Sequence, residues 1–465
     1  MPVNHRCDLS YKSHFGPPAP DLMKKKSLLV SIAAVIAVVA LPVRAQSLVD
    51  LFESARSYDA TYQSAKSQFD ANLAKAEQSR AGTLPTLGLA ANVSRSTLSV
   101  TPDIGPEINR PFGTQSATLS ASHPLYRPAN WITYEQGKKG IDVAQAQLVA
   151  AEQDLIVRVS QAYFDVLASQ DSLTFVLAQK AAVAEQLASA KRNFEVGTST
   201  ITDTREAQAR FDLVIAQQIG AENDLRVKKI ALDQLVGKGD AQPQSLALPL
   251  TLRSLEPTDV NAWVLQSEDG HPSIRQAQTA LEVALLETSK ARTGHKPTLD
   301  LVANYGLIRN LDGTTTSATG SHVGTGSVGL SFNMPLFAGY SVQNRIKETL
   351  ALEDKARNDL EGAKRAVAQA TRTAYFGVDS LLGQVKALQA AEASSQSALD
   401  ANKLGYQVGV RINIDVLNAQ SQLFQTKRDL ARARYDVLVN GLKLRQANGT
   451  LKAEDLQGVN GLLIK

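Results

Sequence analysis

Two spacings of apolar residues share the chain. In the first, apolar positions recur every three or four residues. Ala144, Leu148, Ala151, Leu155, Val159, Ala162 and Val166 form one such series. Val416, Ala419, Leu423, Thr426, Leu430, Ala433 and Val437 form another, stepping 3-4-3-4. This is the seam of a helix packed along a partner helix, and its small residues let the two axes approach closely. In the second spacing, apolar and other residues alternate. Leu87, Leu89, Ala91 and Val93 do so, as do Ala117, Leu119, Ala121, His123 and Leu125. Leu299, Leu301, Ala303, Tyr305 and Leu307 form a third run, and Val328, Leu330, Phe332 and Met334 a fourth. Period two with one apolar side predicts strands, and their length of about ten residues suits strands that cross an outer membrane.

Proline places the boundaries. None of the 17 prolines lies between Pro128 and Pro243, and none follows Pro335. Proline breaks helix interiors, so these two stretches can carry long helices. The spacing predicts a leading helix, strands over about 86–100 and 114–126, a helix over about 129–195 and another over about 203–236. The same order follows as strands over about 298–310 and 322–337, then helices over about 340–407 and 415–447. Each strand pair is joined by a Gly-, Pro-, Asn- or Thr-rich stretch. Each long helix would extend roughly 100 Å at 1.5 Å per residue, far beyond globular norms.

The order repeats because the sequence does. Pro85-Thr86-Leu87 matches Pro297-Thr298-Leu299, and Ala162-Tyr163-Phe164 matches Ala374-Tyr375-Phe376, both at an offset of 212. Phe194, Val196, Gly197, Asp203, Ala207 and Gln208 match Tyr406, Val408, Gly409, Asp415, Ala419 and Gln420 at the same offset. The reading is a first repeat over 46–250, a second over 251–450 and a C-terminal tail over 451–465. Four strands per chain cannot close a barrel, for which about eight is the minimum, and a lone hairpin would leave its edges unpaired in lipid. Membrane-spanning strands therefore require oligomerisation.

Composition and charge sharpen this outline. Of 465 residues, 43% are hydrophobic but only 5% aromatic, which suits long helices better than a compact enzyme core. Lys24, Lys25 and Lys26 precede an apolar run from Leu28 to Leu41, and Val43-Arg44-Ala45 offers a peptidase site before Gln46. Residues 1–45 are read as an upstream extension and cleaved signal peptide, with Met23 an alternative start. A membrane anchor is the other reading, but the run is shorter than the ~20 residues a spanning helix needs. Cleavage removes six of the 49 basic and two of the 45 acidic residues, leaving 43 of each, and takes the sole cysteine, Cys7. A neutral, cysteine-free chain gives no electrostatic ground for nucleic-acid binding, no disulfide framework and no N-terminal lipid site.

The signal peptide, the duplicated halves, the Pro-Leu-aromatic strand exits at 124–126 and 335–337 and the paired turns at 196–203 and 408–415 together resemble the TolC family of outer membrane efflux proteins. The resemblance covers nearly all of residues 47–450. It implies a mainly α fold with membrane β-barrel strands: a long coiled α-helical barrel plus four strands per chain, in two tandem repeats, closed as a homotrimer. It implies an outer membrane exit duct reaching into the periplasm of a Gram-negative bacterium, set in outer membrane lipid. The duct would dock through a periplasmic adaptor on an inner-membrane ABC exporter or proton-driven pump. Type I protein secretion and drug or solute efflux are both open, and a trimeric coiled-coil structural protein is the alternative.

The resemblance also implies site residues. Tyr406 and Arg411 match positions that hold Asp203 of a neighbouring helix pair and keep the tip shut; as isolated residues Arg411 and Asp203 also read as a solvated turn residue and a helix cap. Asp415 matches the first position of an acidic entrance ring and also reads as a helix cap. The second ring position is Asn418 here, so a trimer would present three carboxylates instead of six. This predicts a pore still preferring cations but more weakly blocked by multivalent ones. Val196-Gly197-Thr198 and Val408-Gly409-Val410 match the tips that meet the adaptor. Tyr126, Trp131, Tyr134, Phe337 and Tyr340 would form an interfacial girdle or pack a helix–strand corner.

Other motifs carry less. Gly324-Thr-Gly326-Ser-Val-Gly329 has dinucleotide spacing but runs into an alternating strand pattern, so strand glycines are expected. His123, His271, His295 and His322 lack metal-ligand spacing. No nucleophile motif or supported carboxylate pair is present, so no enzyme, cofactor or metal site is expected.

Overall fold

Local capping and apolar spacing set the helices, beginning with Ser47. The computed structural model describes residues 45–247 and 254–464. The predicted signal peptide therefore lies outside the described residues except for Ala45. Ser47 caps helix α1 (Leu48–Tyr58): its hydroxyl accepts from the Asp50 N–H, and the Asp50 carboxylate accepts from the Ser47 N–H. Leu48, Leu51, Phe52 and Ala55 recur on one face and are buried. Asp59 ends α1 and caps α2 (Ala60–Arg80) by accepting from the Tyr62 N–H at 2.8 Å.

Strands β1 (Thr86–Val100) and β2 (Ile108–Tyr126) follow, then α3 (Pro128–Glu195, 68 residues) and α4 (Ile201–Val236). The same order recurs as α5 (Val260–Gly270), α6 (Pro272–Arg292), β3 (Thr298–Asn310), β4 (Ser321–Asn333), α7 (Ser341–Gln407, 67 residues) and α8 (Asn413–Ala447). A short helix α9 (Asp455–Asn460) comes last.

The four strands form one antiparallel sheet in the order β1-β2-β3-β4. Strand β2 starts at Ile108, six residues before the expected 114, and pairs Ile108–Gly113 with Arg95–Val100. Pro111 and Gly113 read as turn residues in the sequence. Pro111 is tolerated because the β2–β3 ladder begins only at Thr114, leaving one side of β2 free of a partner there. Strand β4 stops at Asn333, short of the expected 337, because Pro335 has no N–H for the ladder. The GxGxxG motif lies within β4.

The register sorts the sheet into two faces. One row runs Leu89–Leu119–Tyr305–Gly326 and the next Leu87–Ala121–Ala303–Val328. The opposite face carries Gly88–Ser120–Asn304–Ser327 and Ala90–Thr118–Gly306–Thr325. One side is thus apolar and the other small and polar. The apolar side lies open in a single chain, with Leu89 76% and Val328 79% exposed. No described helix is long and apolar enough to cross a membrane.

The largest core lies among the helices. Leu155, Ile156, Val159, Tyr163 and Phe164 of α3 bury against α1, Leu232 of α4 and Tyr435, Val439 and Leu442 of α8. The expected C-terminal tail is part of this core: Leu451, Leu456 and Leu463 are buried in it. The Ala247 N–H donates to the Leu462 carbonyl at 2.9 Å, and the Ile464 N–H to the Ser245 carbonyl at 2.8 Å. Three leucines at irregular spacing give no periodic signal, which is why this segment reads as a tail.

A half-buried ion pair fixes α2 on α3. The Arg158 guanidinium grips both oxygens of Asp59 at 3.0 and 3.1 Å, and Asp59 is buried. The hydrogen bonds from Arg158 hold the Asp59 carboxyl below its ordinary range. That contribution is therefore present above the unfolded value of ~3.9 and fades as pH falls through the lowered folded value. Asp59→Ala is expected to destabilise the protein by roughly 2 kcal/mol at pH 7, with a smaller penalty near pH 3, in helical circular-dichroism melts. An equal penalty at both pH values would contradict the ion-pair account.

Candidate functional site: the helix tips

The ends of α3 and α7 are built alike. At the first, the Val196 N–H donates to the Arg192 carbonyl and the Thr198 N–H to the Asn193 carbonyl, with Gly197 at φ +80°. At the second, the Val408 N–H donates to the Leu404 carbonyl and the Val410 N–H to the Gly405 carbonyl, with Gly409 at φ +77°. A left-handed residue ending a helix calls for glycine. Val196, Val408 and Val410 sit on these turns with their side chains exposed, Val410 to 78%.

Asp203 is the third residue of α4, whose cap is Thr200, so the expected helix start and cap move upstream. The Thr200 hydroxyl can accept from the Asp203 N–H, at 3.2 Å, and this closes the helix two residues earlier. One Asp203 oxygen, Oδ2, accepts from Ser199 Oγ at 2.7 Å, Thr200 Oγ1 at 2.8 Å and the Thr200 N–H at 3.0 Å. The Ser199 hydroxyl leads in holding this carboxyl below its usual range.

Tyr406 Oη accepts from Asn193 Nδ2 at 3.1 Å, tying α7 to α3 and leaving the phenolic proton for another acceptor. Arg411 lies 3.7 Å from Asp415, and both are partly exposed. The cap of α8 is Ile412, which makes no side-chain capping bond; Asp415 stands in the first turn facing Arg411. Among the described residues of one chain, Asp203, Tyr406 and Arg411 make no hydrogen bond or ion pair with one another.

Two residues that the sequence reading missed hold the tip together. Asn413 is 1% exposed; its Nδ2 donates to the Asp203 carbonyl at 3.3 Å, and its Oδ1 accepts from Gln186 Nε2. It joins α3, α4 and α8. Arg210 Nη2 donates to Asn418 Oδ1 at 2.7 Å. A signal for the site existed in the differences between the halves. At offset 212, Tyr406 replaces Phe194, Arg411 replaces Ser199 and Asn413 replaces Ile201. The site lies where the two copies diverge.

Further along, the seam between α3 and α8 carries polar rungs. Gln179 bonds Arg428 at 3.2 Å, Asp171 bonds Tyr435 at 2.6 Å and Gln161 bonds Lys443 at 3.0 Å. At the other end, Arg127 grips Asp300 at 2.7 and 2.6 Å, locking the start of α3 to β3. Trp131, Phe337 and Tyr340 are exposed there, with the Phe337 and Tyr340 rings edge to face at 5.5 Å.

The backbone and Cγ of Arg411 are seated on Gly405, while its guanidinium end stays exposed. The Arg411 backbone N–H donates to the Gly405 carbonyl at 3.0 Å, and a Cβ on Gly405 would lie 2.7 Å from Arg411 Cγ. Gly405→Val is expected to displace the Arg411 side chain and weaken the tip by about 1 kcal/mol, read as faster cleavage of the 405–412 turn by added protease. Unchanged cleavage would mean that Arg411 is not seated by Gly405.

The outer membrane efflux protein family model matches the chain twice, over residues 51–238 and 263–450. Over 438 residues the chain is 33% identical to outer membrane protein TolC of Vibrio cholerae, covering 94% of this chain and 98% of that protein. It is 29% identical to the alkaline protease secretion protein AprF of Pseudomonas aeruginosa, over 89% of this chain and 86% of that one. Among solved structures, the Campylobacter jejuni CmeC outer membrane channel superposes with a TM-score of 0.73 at 18% identity, covering 90% of each chain. The Vibrio cholerae outer membrane protein VceC superposes with a TM-score of 0.71 at 21% identity, covering 86% of this chain and 96% of that one.

Long paired helices continued by a sheet with one apolar face, together with these likenesses, define an outer membrane exit duct that reaches into the periplasm. The chain belongs to the outer membrane efflux protein family.

Proposed function

We propose that three copies pool their sheets into one barrel of twelve strands, and that this trimer is the exit port of a polypeptide-exporting system. The observation that carries the proposal is the open sheet. Strands β1 and β4 are its edges, and the four strands alternate in direction. Strand β4 of one copy then lies antiparallel to β1 of the next, so the ladder closes without a break. Two relatives are named for protease secretion, AprF and the PrtF protein of Dickeya chrysanthemi, the latter 28% identical over 93% of this chain. They support polypeptides as cargo. An inner-membrane transporter supplies the energy, and an adaptor joins it to the exposed turns Val196-Gly197-Thr198 and Val408-Gly409-Val410.

In the shut duct, Tyr406 and Arg411 reach Asp203 of an adjoining helix pair. Asp203 Oδ1 and the Tyr406 proton are available for this in a single chain, since the capping contacts fall on Oδ2. Asp415 and Asn418 line the entrance. The protein extracted from outer membranes is expected to run as a complex of three chains in native mass spectrometry. Loss of its gene is expected to halt export of the polypeptides its transporter delivers. A monomer in the soluble periplasmic fraction would overturn the proposal.

A further inference from the structure

The apolar face of the sheet ends in a basic row. On the side toward the helices the pairing runs Ala91–Ala117–Leu307–Gly324. The next row toward the loops is Val93–Gln115–Arg309–His322, and Arg95 stands two residues further along β1 on the same face. Arg95, Arg309 and His322 are exposed. Among the described residues, their side chains make no hydrogen bond or ion pair. A groove of about 570 Å³ lies over this row, lined in part by Val93, Gln115, Leu307, Arg309, His322 and Gly324. Gly324, from the GxGxxG motif, keeps the wall low there, since a Cβ on it would already touch Leu307 at 3.7 Å.

No carboxylate of the strands balances this row. Asp300 is the only acidic residue in the four described strands; it lies at the helix end and is gripped by Arg127. Glu107 precedes β2 and accepts from Ser99 Oγ at 3.4 Å, four residues beyond Arg95 or roughly 13 Å along the strand. Asp103 and Asp312 lie in the loops, and neither forms an ion pair with Arg95 or Arg309. The third strand arginine, Arg110, stands on the opposite face and donates to the Thr314 carbonyl.

We propose that Arg95, Arg309 and His322 bind the phosphates of a phosphorylated disaccharide lipid in the outer leaflet, whose acyl chains lie along the apolar rows. This rests on the duct reading above, in which the β1–β2 and β3–β4 loops face the cell exterior. An arginine on the lipid side is costly at the bilayer midplane and nearly free at its surface, so the row marks headgroup level. The heights agree. Ten residues separate Leu299 from Arg309, about 33 Å of strand, which at a barrel tilt of about 40° rises roughly 25 Å, the thickness of the apolar band. A guanidinium matches a phosphate with two parallel N–H bonds, and the imidazole adds a further donor. Arg95 and Arg309 are two strands and two residues apart, roughly 12 Å between their Cα atoms. That spacing suits a disaccharide with a phosphate at each end better than a phospholipid with one.

The test is native mass spectrometry of the trimer, extracted from outer membranes, stripped of lipid and titrated with lipid A that carries both phosphates. Lipid A is expected to bind at least about tenfold more tightly than phosphatidylglycerol. Arg95→Gln combined with Arg309→Gln should weaken lipid A by about tenfold or more. Arg95→Lys combined with Arg309→Lys should stay within about threefold of wild type, since it keeps both charges. A lysine pair as weak as the glutamine pair would make the arginines structural and overturn the inference. Equal binding of phosphatidylglycerol, or lipid A binding unmoved by the glutamine pair, overturns it while the duct reading stands. Protein that forms no trimer in the outer membrane overturns both.

Discussion

Leu89→Arg combined with Val328→Arg is expected to keep the protein out of the outer membrane. Both side chains stand on the apolar face of the sheet and are open in the single chain. An arginine facing lipid near the bilayer midplane costs about 2–4 kcal/mol, so each chain would lose about 4–8 kcal/mol and a trimer three times that. Neither residue supports the helical core, which lies among α1, α3, α4 and α8. The helices should therefore form while insertion fails. Asn304→Arg is the matched control, because Asn304 lies on the small polar face beside Ser120 and Ser327 and would meet water in a barrel interior. Density-gradient fractionation should show the double variant depleted from outer membranes and the control retained. Equal insertion of both, or equal failure, would remove the sheet from its membrane role.

Tyr406→Phe combined with Arg411→Ser is expected to leave the tip ajar. In the proposed shut duct each exposed polar link would contribute only ~0–1 kcal/mol, and three chains would present up to six. Losing about 1.5–3 kcal/mol in total raises the open population roughly 10- to 100-fold. The readout is uptake of an antibiotic too large for general porins, or single-channel conductance. The pH dependence has a definite sign. The Asp203 carboxyl titrates below its ordinary range, first because Ser199 donates to it. The proposed links to its charged form would persist above ~3.9 and be lost only as pH falls through the lowered value. The wild-type tip should therefore stay shut through mild acid. A double variant no leakier than wild type would mean that other contacts close the tip, and Asn413 is then the first to consider.

How far these features could be read without coordinates varied with their range in the chain. The long helices were legible because proline is absent from their interiors and because Val416, Leu423, Leu430 and Val437 mark a seam that is buried in the folded protein. Strands β1 and β3 were legible because alternation in Leu87–Val93 and Leu299–Leu307 needs no partner to be seen. Pro111 hid the start of β2, since its tolerance depends on where another strand begins. Arg210 and Asn418 are 208 positions apart, and nothing local in either segment announces the bond between them. Asn413 was hidden for the same reason: its three-helix junction exists only once α3, α4 and α8 pack. Local chemistry located the turns; packing decided which polar groups at the turns meet.

The orientation of the duct can be measured with single cysteines, because the only native one, Cys7, lies in the N-terminal segment 1–45 that is expected to be removed. Thr316 lies on the loop between β3 and β4, and Val410 on the turn after α7, at the other end of that helix. With a membrane-impermeant maleimide, Thr316→Cys is expected to label in intact cells. Val410→Cys should label only after the outer membrane is permeabilised. Labelling of Val410→Cys in intact cells, or protection of Thr316→Cys until permeabilisation, would contradict a duct whose strands cross the outer membrane and whose helix tips face the periplasm.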